Sequence, residues 1–136
     1  MFDLSGKSAL VTGASGGIGG AIARAFHARG AKVGLSGTRK DALEGLAGEL
    51  GGNAYPLPAD LSSADAAGQL IKDSQAAMGG VDILVNNAGG PPPGDFRDWD
   101  RDIWIAALDA NMLTPIFLIK AVVDGMMERK FGRIVN

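Results

Sequence analysis

The eight residues Thr12-Gly13-Ala14-Ser15-Gly16-Gly17-Ile18-Gly19 constrain this chain more than any other stretch. They follow the apolar run Ser8-Ala9-Leu10-Val11 and open into Ala21-Ile22-Ala23-Arg24-Ala25-Phe26, where apolar residues recur at helical spacing. Glycines let a strand turn sharply into a helix and let a ligand approach the main chain. The free N–H groups and positive dipole end of that helix then face an anion. Gly13, Gly17 and Gly19 match neither the generic G-x-G-x-x-G spacing nor a P-loop, because no Lys-Ser/Thr follows. Alone, such a turn would serve equally as a tight corner; between a strand and a helix it predicts a dinucleotide cradle.

The rest of the chain repeats that unit. Lys7–Val11 reads as a buried strand, with Ile18, Ile22, Ala25 and Phe26 as the inner face of the helix that Gly30 stops. Lys32–Ser36 reads as a second strand and Asp41–Leu50 as a helix turning Leu43, Leu46, Ala47 and Leu50 inward. Asn53–Pro58 is a third strand, and Ser62 or Ser63 can cap the helix that runs to about Met78. Val81–Val85 is apolar enough for a central strand buried on both faces. Gly90-Pro91-Pro92-Pro93-Gly94 can be neither strand nor helix and reads as a loop over the site. Trp99 to Arg129 is helical with an interruption near Asn111–Pro115, and Gly132–Asn136 begins another strand. Strands alternating with helices imply a parallel sheet whose ligand crevice lies at the strand C-terminal ends. The glycine turn, Thr38-Arg39, Asp60-Leu61 and Asn87-Ala88-Gly89 all follow strand ends, so four segments are expected on one rim.

At 136 residues the chain fits one domain. Thirteen basic and 15 acidic residues give a net charge of −2, which offers no basic field for nucleic acid or an anionic membrane. The absence of cysteine removes disulfides and thiol catalysis. No signal pattern opens the chain and no apolar run is expected to reach membrane-spanning length. No His/Cys/Asp/Glu cluster has metal-site spacing. These features predict a soluble, cytoplasmic domain with no metal.

Together these motifs resemble the short-chain dehydrogenase/reductase family. Thr12–Gly19 is similar to its T-G-x-x-x-G-x-G motif, Asp60-Leu61 to its adenine-contacting pair and Asn86–Gly89 to its N-N-A-G motif, while Asn111 falls at its catalytic asparagine. The resemblance runs collinearly from residue 2 to 136. It implies an α/β, Rossmann-type, doubly wound parallel sheet of order 3-2-1-4-5 between two helical layers. It also implies cofactor contacts from Gly13, Ser15, Gly17, Ile18, Gly19, Thr38, Arg39, Asp60, Leu61, Asn87, Ala88 and Gly89. Within the family, Asp82–Gly89 and Met126–Ile134 are most similar to 3-oxoacyl-(acyl-carrier-protein) reductases. The three-proline loop departs from that pattern on the substrate side, which leaves a sugar or polyol dehydrogenase as the alternative to an acyl thioester reductase. The family continues to a catalytic serine and a Tyr-x-x-x-Lys helix. Tyr55, with Ala59 four residues on, is a strand aromatic instead. The expectation is therefore the cofactor-binding part of a truncated enzyme, whose parent associates as a dimer or tetramer. A non-catalytic dinucleotide-binding module is the other reading.

Cofactor choice turns on the end of the second strand. An Asp or Glu there accepts from the ribose 2′-hydroxyl of NAD. Here Ser36-Gly37-Thr38-Arg39-Lys40 carries no carboxylate, and Arg39 offers a planar fork of donors to a 2′-phosphate. That favours NADP over NAD, although Gly16 stands where NADP-preferring relatives often carry a basic residue. Arg39 and Lys40 would otherwise be solvated charges at a helix start, and Asp60 a turn carboxylate. Asn86 is expected to tie its own turn through side-chain-to-backbone bonds. Pro115 has no N–H, so in a continuous helix the Asn111 carbonyl loses its partner and, at a kink, is free for water. In the family that carbonyl holds a water in a proton relay. His27 is expected to be a solvated helix residue, Trp99, Trp104, Met112 and Phe117 packing residues, and Met126-Met127 a subunit contact.

Overall fold

The computed structural model describes residues 2–63 and 65–136. Five parallel strands, β1 (Ser8–Val11), β2 (Lys32–Gly37), β3 (Ala54–Pro58), β4 (Ile83–Val85) and β5 (Arg133–Val135), form one sheet in the order β3-β2-β1-β4-β5. The helices α1 (Gly17–His27), α2 (Lys40–Leu50), α3 (Ala66–Met78), α4 (Arg101–Leu108) and α5 (Thr114–Glu128) provide the crossovers. This is the Rossmann-type arrangement expected from the alternating pattern.

Period-2 alternation divides the core into two layers. On one face Ala9, Val11, Val33, Leu35, Ile83 and Val85 pack with Leu43 and Leu46 of α2 and Ala23 of α1. On the other, Leu10 and Leu84 meet Leu70, Ile71 and Met78 of α3 and Leu118, Val122 and Met126 of α5. Every residue of β1 is buried, as expected of a strand covered on both sides. Gly34 makes the second layer possible: a Cβ there would sit 2.9 Å from Met78 Cε and 3.1 Å from Leu10 Cδ1.

Several local expectations are corrected. Ile18 is 71% exposed and Ala25 is exposed; the buried face of α1 is Gly19, Gly20 and Ala23, flanked by half-buried Ile22 and Phe26. No serine side chain caps α3, whose first turn instead begins with the Ala66 N–H on the Ser63 carbonyl at 3.2 Å. His27 is not merely solvated, since its Nε2 lies 2.7 Å from the Gly52 carbonyl and ties α1 to the loop before β3. Trp104, Met112 and Phe117 are 43–56% exposed; Trp104 meets Trp99 edge to face at 5.3 Å. Met126 is buried in the second layer, whereas Met127 is 71% exposed.

The interruption near Asn111 is a π-helical turn, Asp109–Leu113, that leaves the helical run from Arg101 to Glu128 unbroken. By length and composition alone that run, 28 residues with mean hydropathy 1.5, could cross a membrane. This overturns the expectation of no such segment, which treated Asn111–Pro115 as a break. One side of the run, Leu118, Val122 and Met126, packs into the core. Near its end Arg129 Nε pairs with Asp82 Oδ1 at 3.1 Å and Nη2 donates to the Val81 carbonyl at 2.7 Å. Asp82 Oδ2 also accepts the Ser8 N–H at 3.1 Å, so one carboxylate joins the starts of β1 and β4 to the end of α5.

Candidate functional site

Because all five strands run the same way, their C-terminal ends share one edge. A cavity of about 420 Å³ opens there, within the range typical of small-molecule sites. Its strand-end wall is Thr12, Gly13 and Ser15 after β1, Gly37 and Thr38 after β2, Ala59–Ser62 after β3, and Asn86–Gly89 after β4. The opposite wall is helical: Ala106, Asp109, Ala110, Thr114, Pro115 and Leu118. Sequence reasoning missed this second wall. Its signal was present as the four-residue recurrence Ala106, Ala110, Thr114, Leu118, mostly small residues along one helix face.

The glycines of the turn have different tasks. Gly13 has φ +61°, and a Cβ there would run into the Asn87 carbonyl oxygen and lie 2.7 Å from Asn87 Nδ2. A Cβ on Gly19 would strike the Gly13 carbonyl oxygen and stand 2.8 Å from Asn87 Nδ2. Both positions are glycine because the β4 segment presses on the turn. Thr12 fastens the same contact: its Oγ1 donates to the Val85 carbonyl at 3.2 Å and accepts the Asn87 N–H at 2.9 Å. Gly17, at the first position of α1, has nothing within 4 Å of a Cβ. The fold does not need a glycine there; an approaching ligand would. Gly16 caps α1 without a side-chain bond and no carboxylate stands in the first turn, so the positive end of the helix is open to an anion.

Of the expected contact residues, Gly13, Ser15, Thr38, Asp60, Leu61, Asn87, Ala88 and Gly89 line the cavity. Gly17, Ile18 and Gly19 lie beside it on the first turn of α1. Arg39 is also outside the wall, and its Nη2 donates to the Ser15 carbonyl at 2.5 Å. Asp60 is a turn carboxylate as well as a lining residue. Hydrogen bonds from Ser62, including its N–H at 3.0 Å, hold the Asp60 carboxyl below the ordinary aspartate range and keep it an acceptor.

Asn111 does not line the cavity but controls its rim. Its Nδ2 donates to the Gly89 carbonyl at 3.2 Å and to the Ala107 carbonyl at 3.0 Å. The π turn, with the Thr114 N–H on the Asp109 carbonyl, takes the place of the expected kink. Asn86 ties β4 to β5 rather than to its own turn, through Nδ2 to Asn136 Oδ1 at 2.6 Å and its N–H to the Val135 carbonyl at 2.8 Å. Among the described residues no three His, Cys, Asp or Glu side chains are placed to hold a metal ion.

The sequence matches the family model described as short chain dehydrogenase over residues 7–136. It is 48% identical to nodulation protein G of a Rhizobium species over 136 residues, all of this chain and 56% of that protein. It is 41% identical over 138 residues to a short chain dehydrogenase of Pseudocercospora fijiensis, covering 98% of this chain and 45% of that one. With an uncharacterized oxidoreductase of Staphylococcus aureus it shares 37% identity over 137 residues, 100% of this chain and 59% of the other. The chain thus spans a little over half the length of these relatives. Nearly its whole length matches the family model, and its glycine turn, parallel sheet and strand-end cavity agree: the chain belongs to the short chain dehydrogenase family.

Proposed function

We propose that this chain binds NADP, in preference to NAD, for an oxidoreductase that reduces a carbonyl to an alcohol. The observation that carries the reading is the convergence of four strand-end segments and an uncapped helix N-terminus on one cavity. The residues fit the cofactor: Gly17 leaves room that the fold itself does not use, beside an open helix dipole.

In this reading the first-turn N–H groups of α1 hold the pyrophosphate. Asp60, kept ionised by Ser62, accepts from the adenine amino group beside Leu61. Arg39 and Thr38 bind the 2′-phosphate, and no carboxylate stands between them and the glycine turn to repel it. Asn87, Ala88 and Gly89 line the nicotinamide side, with Gly89 fixed by the Asn111 amide. The bound reduced nicotinamide supplies a hydride to the carbonyl carbon while a proton reaches the oxygen. The Asn111 carbonyl, without a donor from Pro115, holds water for that proton relay. The proton donor is the tyrosine of the family's Tyr-x-x-x-Lys motif, which has no counterpart in residues 1–136.

The substrate reading follows the likeness of Met126–Ile134 to 3-oxoacyl thioester reductases; the exposed Pro91–Pro93 loop favours a sugar or polyol as the second reading. The intact protein associates as a dimer or tetramer over the exposed Ile105, Leu108, Met112 and Ile116. Calorimetric titration with NADPH and NADH, alongside carbonyl-dependent NADPH oxidation, tests the proposal. Tighter NADPH binding with turnover supports it; no binding of either nucleotide refutes it.

A further inference from the structure

Arg39 stands outside the cavity wall and is nevertheless tied to it. Its guanidinium reaches from the start of α2 to the Ser15 carbonyl and so joins the two loops whose Ser15 and Thr38 face the cavity. The loops already touch, since a Cβ on Gly37 would lie 3.0 Å from Ser15 Oγ. Arg39 is exposed and makes no side-chain cap to α2. A long cationic side chain in that position can change partners. A main-chain carbonyl is a neutral acceptor, whereas a phosphate presents charged oxygens to two guanidinium N–H groups at once.

We propose that Arg39 is a strap across the adenosine end of the site and that it sets dinucleotide choice twice, by attraction and by exclusion. The proposal rests on the dinucleotide reading of the cavity. A ligand with a 2′-phosphate draws Arg39 from the Ser15 carbonyl to a stronger acceptor. A ligand with a bare 2′-hydroxyl gives nothing comparable in exchange, so opening the strap is an uncompensated cost against NAD. Selectivity then contains a penalty on the wrong ligand as well as a contact to the right one.

The test is calorimetric titration of the intact protein and its Arg39→Ala and Arg39→Lys variants with NADPH and NADH. Arg39→Ala is expected to bind NADPH about 10- to 100-fold more weakly, the scale of a lost charge-assisted contact. The same variant is expected to bind NADH about two- to fivefold more tightly, because an exposed carbonyl contact no longer has to open. Arg39→Lys keeps part of the NADPH affinity. Unchanged or weaker NADH binding by Arg39→Ala overturns the strap even where NADPH binding is lost. Unchanged NADPH binding overturns the 2′-phosphate contact, and no nucleotide binding by the unsubstituted protein overturns the dinucleotide reading itself. A second readout is the carbonyl-carbon NMR shift of Ser15. It should move in the same direction in Arg39→Ala and on adding 2′-AMP, and stay in place with 5′-AMP; no movement with 2′-AMP overturns the strap.

Discussion

Gly13 and Gly17 sit four residues apart in one turn, and substituting each by alanine should have opposite effects. At Gly13 the backbone has φ +61°, where a side chain costs about 1–2 kcal/mol. The new Cβ would also drive into the Asn87 carbonyl and sit 2.7 Å from its Nδ2. Asn87 is held by Thr12 and cannot simply withdraw, so the overpacking adds about 1–3 kcal/mol. Gly13→Ala should therefore lose about 2–5 kcal/mol, a large share of the roughly 5–15 kcal/mol that holds a domain folded. At Gly17 the helix accepts alanine, nothing lies within 4 Å, and the chain should gain up to about 1 kcal/mol from reduced unfolded-state entropy. The same methyl would occupy the space proposed for the pyrophosphate. Urea unfolding with nucleotide titration of both variants checks the argument. The expected pattern is an unstable Gly13→Ala and a stable Gly17→Ala that has lost nucleotide binding. A Gly17→Ala protein that binds NADPH normally would refute the reasoning, as would one destabilised as much as Gly13→Ala.

Three further outcomes are expected. Thr12→Val keeps the shape of the side chain but leaves the Asn87 N–H without its Oγ1 acceptor; urea melts should show a loss of about 1–3 kcal/mol. Asn111→Ala keeps the main-chain carbonyl and removes the tie to Gly89, so NADPH affinity measured by calorimetry should fall roughly two- to twelvefold. The Arg24–Glu49 pair across α1 and α2 holds the Glu49 carboxyl below its ordinary range, chiefly through the Arg24 hydrogen bond. A carboxyl depressed in the folded state stabilises above its unfolded pKa, and that contribution is lost as pH falls through the folded value. The stability difference between the protein and Glu49→Gln, followed by urea melts, should be constant near neutrality and disappear only on the acid limb.

The alternation of apolar strands with helical segments was legible because those signals are local. A glycine turn needs only its own residues to announce itself, and Lys32–Gly37 or Asp41–Leu50 carry their periodicity within one element. Once every crossover is parallel and right-handed, the strand ends must share an edge, so Thr38, Asp60 and Asn87 could be placed on one rim before any coordinates. Burial of individual side chains was less legible. Ile18 is apolar and at helical spacing, yet it lies at the exposed mouth of α1, while Gly19, with no side chain to signal anything, is the residue pressed against β4.

By itself, then, the sequence determined the order of elements, the parallel sheet and the position of the phosphate-facing turn, since hydrophobic period and glycine placement act over a few residues. Tertiary structure decided the rest: the helical wall of the cavity, the Asn111 tie to Gly89, the Arg39 bond to Ser15 and the Asp82–Arg129 junction. Each joins residues 22 to 47 positions apart in the chain, or elements separated by an intervening strand or helix. No local pattern encodes such a partner, because the distance between the groups is fixed only when the sheet and its two layers of helices have packed.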